Sequence, residues 1–155
     1  MAVAFLPDRA AIDTRLEAEA TRGPLAPVAP QAPLLANLSA WENVALVAAF
    51  HEGTRSAATM EATARSALAR LGLTAVAETR EGGLTPHQAF LVQLARAAMR
   101  PAARLVLVTP FTLVPDLADD APITAALAAL GEEREPLILD YAANRPRYRQ
   151  TPEAP

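Results

Sequence analysis

The sequence predicts an α/β domain in which a small parallel sheet sits beside a helical subdomain. Two short, unbroken apolar runs carry the sheet, Leu105–Val108 and the segment from Pro136 to Asp140. Each is too short for a helix and lacks the polar alternation of a half-exposed strand, which suits burial on both faces of a parallel sheet. A helical pattern from Ile123 to Leu130 lies between them, so strand, crossover helix and strand make a βαβ unit. Upstream, two capping boxes mark the helices of the subdomain: Ser39-Ala-Trp-Glu42 and Thr85-Pro86-His87-Gln88.

Taken in order, residues 1–6 read as a short strand stopped by Pro7. From Asp8 to about Thr21 the pattern is helical, with Asp8 as N-cap and Ala11, Ile12, Leu16 and Ala20 on one face. Arg22-Gly23-Pro24 ends that helix. Four prolines between Pro24 and Pro33 exclude helix and any central strand, so this passage reads as an extended connector. The helix opened by Ser39 runs to Phe50 and is apolar on most sides, with Val44, Ala45, Val47 and Ala48; the stretch from His51 to Thr54 reads as a loop. A further helix from Ser56 to Leu71 repeats apolar residues at Ala57, Met60, Ala64, Leu68 and Leu71, and Gly72 stops it. Residues 73–83 read as a helical turn and a loop. The helix capped by Thr85, with Pro86 at its first position, faces Phe90, Leu91, Leu94 and Ala98 inward and Gln93, Arg96 and Arg100 outward until Pro101 breaks it. Asp119 or Asp120 caps the 123–130 helix, and residues 144–155 read as a disordered tail.

Composition excludes several classes of function. The 155 residues suffice for one domain with a hydrophobic core, and the net charge of −3 shows no basic block of the kind nucleic acid needs. All fourteen basic residues are arginine. A GxxxxGK[ST] phosphate loop needs a lysine reaching the β and γ phosphates, and the six glycines form no such run. With no cysteine, disulfides, thiolate metal sites and cysteine nucleophiles are excluded. His51 and His87 have no metal-ligand spacing, and Asp116, Asp119 and Asp120 read as a solvated, helix-capping loop. The N-terminal apolar run is too short for a signal peptide and no window reaches membrane-spanning length, so a cytoplasmic protein is expected.

The succession of segments resembles the second half of an ABC-transporter ATPase, over about Pro24 to Ala142. Residues 34–44, LLANLSAWENV, look like the family's LLPNLTVxENV after the Q-loop. Residues 67–73, ALARLGL, are similar to ALxxVGL; Leu94-Ala-Arg-Ala97 resembles the LARAL after the signature; Thr109-Pro110-Phe111 stands where the family has Glu-Pro-Phe. The resemblance therefore implies a truncated P-loop-NTPase-like domain, residues 24–143, with its helical subdomain at about 34–100, a separate N-terminal strand–helix segment at 1–23, and no Walker A unit.

It also implies where the chemistry has gone. The LSGGQ signature corresponds to Leu84, Thr85, Pro86, His87 and Gln88, with a proline that has no amide and a bulky histidine in place of glycine. The Walker B aspartate corresponds to Val108, the catalytic glutamate to Thr109 and the switch histidine to Tyr141. Pro30 takes the Q-loop position, with Gln31 one place late. Phosphoryl transfer depends on positioned cations and carboxylates, so no ATP hydrolysis is expected, and ATP and magnesium would enter only through a partner subunit. The expected role is a non-catalytic accessory or structural component of an ABC transport system. It would meet a permease, an intact ABC ATPase, or both, peripheral to the membrane, with Leu34, Leu35, Leu38 and Trp41 as contact residues. Pro122-Ile-Thr124 resembles the segment after the D-loop in the ATPases of MCE-type lipid-transport systems, which tilts the cargo toward phospholipid. Two alternatives stay open: the degenerate half of a heterodimeric ATPase, and a small α/β scaffold or regulatory domain unrelated to transport.

Overall fold

The computed structural model describes residues 1–51, 56–100, 102–131, 135–149 and 151–153. Four parallel strands form its sheet: β1 (Ala2–Leu6), β2 (Leu25–Val28), β3 (Arg104–Val108) and β4 (Leu137–Tyr141), in the order β1-β4-β3-β2. The register sets Val3 beside Ile138, Val106 beside Leu137 and Ala26 beside Leu105. Among the described residues the helices are α1 (Arg9–Ala20), α2 (Ala40–His51), α3 (Ala57–Arg70), α4 (Pro86–Ala98), α5 (Pro110–Leu113) and α6 (Ala121–Leu130).

The two apolar runs are strands buried on both faces, as their composition demands. Side chains alternate along a strand, so Val106, Val108, Leu137 and Leu139 enter one cluster with Ala4, Ile12 of α1 and Ala29. Leu105, Leu107 and Ile138 enter the other, with Val3, Ala26 and Val28. There Phe90, Leu91 and Leu94 of α4, Ile123 and Leu127 of α6, and the alanine-rich faces of α2 and α3 close the larger core.

Local signals formed as expected. Glu42 Oε2 accepts from the Ser39 amide at 2.7 Å while Ser39 Oγ accepts from the Glu42 amide at 3.4 Å. At α4, Thr85 Oγ and Gln88 Oε1 complete the reciprocal pair at 3.2 and 2.9 Å. Asp8 and Ser56 cap α1 and α3, and Gly72 ends the α3 turn at φ 73°. The stretch 73–83 forms two 3-10 turns, Thr74–Val76 and Glu81–Gly83. The helix end at His51 is described, whereas residues 52–55 of the expected loop and the break at Pro101 lie outside the described residues.

Long-range contacts overturned four expectations. The proline-rich connector contains a strand, β2, which Pro27 tolerates because it lies at the sheet edge. Arg96 and Arg100, expected to face outward, hold that passage by donating to the carbonyls of Ala32, Pro33 and Leu25, at 2.8 Å to Pro33 and 2.7 Å to Leu25. Gln93 is buried rather than outward, with its side-chain oxygen unpartnered among the described residues. Residues 1–23 are not a separate segment, since β1 pairs with β4 in the common sheet.

The C-terminal tail is a further correction. Ala142–Arg147 is a 3-10 helix, Thr151 is buried, and the Val3 amide donates to the Pro152 carbonyl at 2.9 Å. Its order comes from buried partners: Tyr148 Oη donates to Asp140 Oδ2 at 2.7 Å and Thr151 Oγ1 to Asp120 Oδ2 at 2.6 Å. A polar, proline-rich stretch lacks the apolar area to order itself, but two wholly buried carboxylates need donors, and the tail supplies them.

Candidate functional site

Ligands of open parallel sheets bind outside the carboxyl ends of the strands. Here that edge comprises Pro7-Asp8 after β1, Ala29 to Gln31 after β2, Thr109 after β3 and Tyr141 at the end of β4. The fold thus brings Gln31, Val108, Thr109 and Tyr141 to one edge of the sheet. The signature residues Thr85, Pro86, His87 and Gln88 stand instead at the start of α4.

β1 and α1 make a strand–helix pair on the sheet, yet only Pro7 and Asp8 join them. No phosphate loop fits in two residues. A helix N-terminus attracts anions because its first amides are unpaired. In α1 the Asp8 carboxylate already accepts from the Ala11 amide at 2.9 Å, filling that place with a fixed negative charge. Arg9, one residue on, is engaged by Asp13, and Gln31 accepts from its guanidinium when the amide is oriented oxygen-first.

The Walker B position is dry. Val108 is 1% exposed in the apolar cluster beneath α1, and the switch position, Tyr141, packs against the same cluster. A magnesium ion would find there Ile12, Ala29 and Leu139. Among the described residues no group of three metal-ligating side chains exists, and Asp119 and Asp120 serve structure: Asp119 Oδ1 accepts from the Ala121 amide and Asp120 from the Arg149 amide and Thr151. Thr109 keeps an unusual backbone. Its φ of 45° is left-handed, a conformation costing a β-branched residue about 1–3 kcal/mol, and it is held by the amide bond to the Leu139 carbonyl at 2.8 Å. The chain leaves β3 sharply at this buried threonine.

Phe5, Phe111 and Tyr148 cover the same end of the sheet. The Tyr148 ring meets Phe5 and Phe111 edge-on at 5.3 and 5.2 Å, and the Arg145 and Arg147 guanidiniums lie over Phe5 and Phe111 at 4.4 and 3.8 Å. Burial, and then the neighbouring Asp140 carboxylate, push the Tyr148 hydroxyl well above the ordinary phenol range. Asp140 and Tyr148 were not foreseen; only the polar residue inside an otherwise apolar strand signalled them.

At the signature, both side chains of the capping box are used within the helix end, and Pro86 and His87 are exposed. Leu84 packs on the core. These residues do the work of a helix cap.

The four contact candidates separate. Leu34 is 3% exposed and belongs to the core, so it cannot meet a partner. Leu35 is 45% exposed, the one exposed large apolar side chain among the described residues, and Leu38 and Trp41 are half-buried. Asn43, buried and unremarked in the sequence, shapes this loop: its Oδ1 accepts from the Leu35 amide at 2.7 Å and its Nδ2 donates to the Leu35 and Ser39 carbonyls at 3.1 and 3.0 Å. Trp41 is held by Glu78, which accepts from its indole at 3.1 Å, and by the Arg65 guanidinium 5.0 Å from the ring centre. Arg65, and then Trp41, hold the Glu78 carboxyl below its ordinary value.

No protein-family model matches the chain, and no curated protein does. Solved structures do. The dimeric structure of MJ0796, a bacterial ABC transporter cassette, matches with a TM-score of 0.62 and 20% identity over 84% of this chain and 57% of that one. The same cassette in a dimeric post-hydrolysis state with ADP and Pi gives 0.61 and 20% over 83% and 56%. An inward-facing metal-chelate type ABC transporter gives 0.65 and 16% over 93% and 64%. The chain spans less than two thirds of the length of each. In its fold, the chain is similar to part of an ABC transporter cassette.

Proposed function

We propose that the chain is a non-catalytic ABC ATPase-like subunit that works through protein contacts in a transport system. The single observation that supports this most is the apolar filling of the Walker B and switch positions, Val108 and Tyr141, beneath α1. Without a cation, a phosphate loop and a carboxylate, the chain supplies none of the stabilisation that phosphoryl transfer requires. Its remaining asset is a shaped surface, and the loop from Leu35 to Trp41 offers an exposed leucine and a half-buried aromatic ring, chemistry suited to receiving an amphipathic helix. The partner is an ABC permease, with this chain on its cytoplasmic side; phospholipid is the cargo class the Pro122-Ile-Thr124 segment favours. Among the described residues no helix is long and apolar enough to cross a membrane.

Two measurements test the reading. A photo-crosslinker placed at Leu35 should capture an ABC permease in the native cells, and Leu35→Arg should abolish co-purification while leaving the circular dichroism spectrum unchanged. The purified chain should show no ATP turnover above buffer. Hydrolysis that is removed by mutating a residue of this chain would overturn the proposal, as would crosslinking at Leu35 that yields no permease adduct.

A further inference from the structure

At the opposite end of the sheet, beside the amino ends of β2 and β3, three arginines converge on one carboxylate. Glu19, near the end of α1, is 1% exposed. Its Oε1 accepts from Arg15 Nε and Arg22 Nη1, both at 3.0 Å, and its Oε2 accepts from Arg104 Nη1. Arg104 opens β3, eighty-five residues along the chain from Glu19, so the cluster exists only in the folded protein. Arg100 lies close by, with Nη1 on the carbonyl of Leu25 at 2.7 Å.

Glu19, Arg22 and Arg104 line a shallow cavity of about 210 Å³, completed by Gly23, Pro24, Leu25 and Ala102. That volume is room for about seven waters at roughly 30 Å³ each. Three guanidiniums against one carboxylate leave a local charge of +2 in a chain whose net charge is −3. Each guanidinium carries five N–H donors, and each spends one on Glu19. Arg22 remains 68% and Arg104 45% exposed, and both line the cavity. A carboxylate that merely neutralised one arginine would need no such excess. Glu19 acts as a buried post that pre-orients the forks, and pre-oriented arginine forks match the oxygens of a phosphate in bidentate fashion.

We propose that this arginine cluster is a binding site for a phosphomonoester dianion, distinct from the degenerate nucleotide edge and independent of whether a permease binds at Leu35. A dianion balances the local charge of +2. The phosphate comes either from a soluble phosphomonoester or from the headgroup of phosphatidic acid.

The test uses the whole chain. Calorimetric titration with inorganic phosphate and with glycerol 3-phosphate, at low ionic strength, should give saturable binding. Flotation with phosphatidylcholine vesicles, with and without phosphatidic acid, separates the sources. Retention only on phosphatidic acid vesicles, resistant to millimolar free phosphate, assigns the lipid headgroup; saturable binding of the soluble esters without flotation assigns the free species. Arg22→Ala should weaken binding about tenfold or more, since a hydrogen bond to a charged group contributes about 1.5–3 kcal/mol. Arg22 is the most exposed of the three, so its variant keeps Arg15 and Arg104 on Glu19 and should retain the wild-type unfolding midpoint in the absence of phosphate. Arg104→Gln serves as the second variant. Absence of binding in both arms, or binding unchanged by Arg22→Ala and Arg104→Gln, overturns the proposal.

Discussion

Val108→Asp places an acid where the resemblance puts the Walker B aspartate, and should destabilise the fold rather than create a metal site. Val108 is 1% exposed, and its neighbours in the cluster are Ile12, Ala29, Leu139 and the ring of Tyr141. The substitution removes a buried valine, worth about 1.5–3 kcal/mol. It also places a carboxylate where nothing apolar can pair with it, and an uncompensated buried charge costs about 3–5 kcal/mol. The group escapes part of that cost by protonating, so the net loss should be about 3–5 kcal/mol, from a total stability of about 5–15 kcal/mol for a typical domain. For a chain of this size the midpoint should fall by roughly 6 to 20 °C. Its sign with pH is equally definite. Burial raises the folded-state pKa of the introduced aspartate above its unfolded value near 3.9, so the folded state holds a proton that the unfolded state releases, and stability falls as pH rises. The deficit should therefore shrink from pH 7 to pH 5. Urea unfolding followed by circular dichroism at both pH values, with Val108→Ile as the control, measures this. A Val108→Asp protein within about 1 kcal/mol of wild type at pH 7, or one stabilised saturably by magnesium, would refute the reasoning.

Three further outcomes follow from the geometry. Tyr148→Phe keeps the ring between Phe5 and Phe111 but removes the bond to Asp140, and should cost about 1.5–3 kcal/mol by urea unfolding. Because the folded-state pKa of Tyr148 is raised, the neutral phenol's stabilisation is fully present below the unfolded value of about 10 and is lost as pH climbs above it; ultraviolet titration should show this phenol ionising only as the protein unfolds in alkali. Thr85→Ala breaks the α4 capping box and should cost about 1 kcal/mol, whereas the double change Pro86→Gly and His87→Gly, which returns glycines to the signature position, should restore no ATP binding by calorimetry.

What was legible in the sequence was what neighbouring residues decide among themselves. A capping box spans three residues, so Ser39 with Glu42 and Thr85 with Gln88 carried their own partners. The β3 and β4 runs needed little context either, because unbroken runs of four and three large apolar residues, too short for a helix, suit a strand buried on both sides. The departures from the resembled motifs were legible from order alone, since the absence of lysine, of a glycine run and of the acids is visible without coordinates.

Tertiary structure decided the rest, wherever the partner lies far along the chain. Pro27 argued against a strand, and only the edge position beside β3 made one tolerable. Nothing near Glu19 in the sequence marks it for burial; its partner Arg104 comes from eighty-five residues away. The polar tail seemed unable to order itself, yet Asp120 and Asp140, sealed at 0% exposure, drew Thr151 and Tyr148 onto the sheet. The sequence by itself determined the order of the elements and the residues that stand where the resembled motifs would carry lysine, glycine and acid. Only the folded arrangement decided that Val108 is sealed in an apolar cluster against which Tyr141 packs, because burial is a property of the assembled core and not of any one segment.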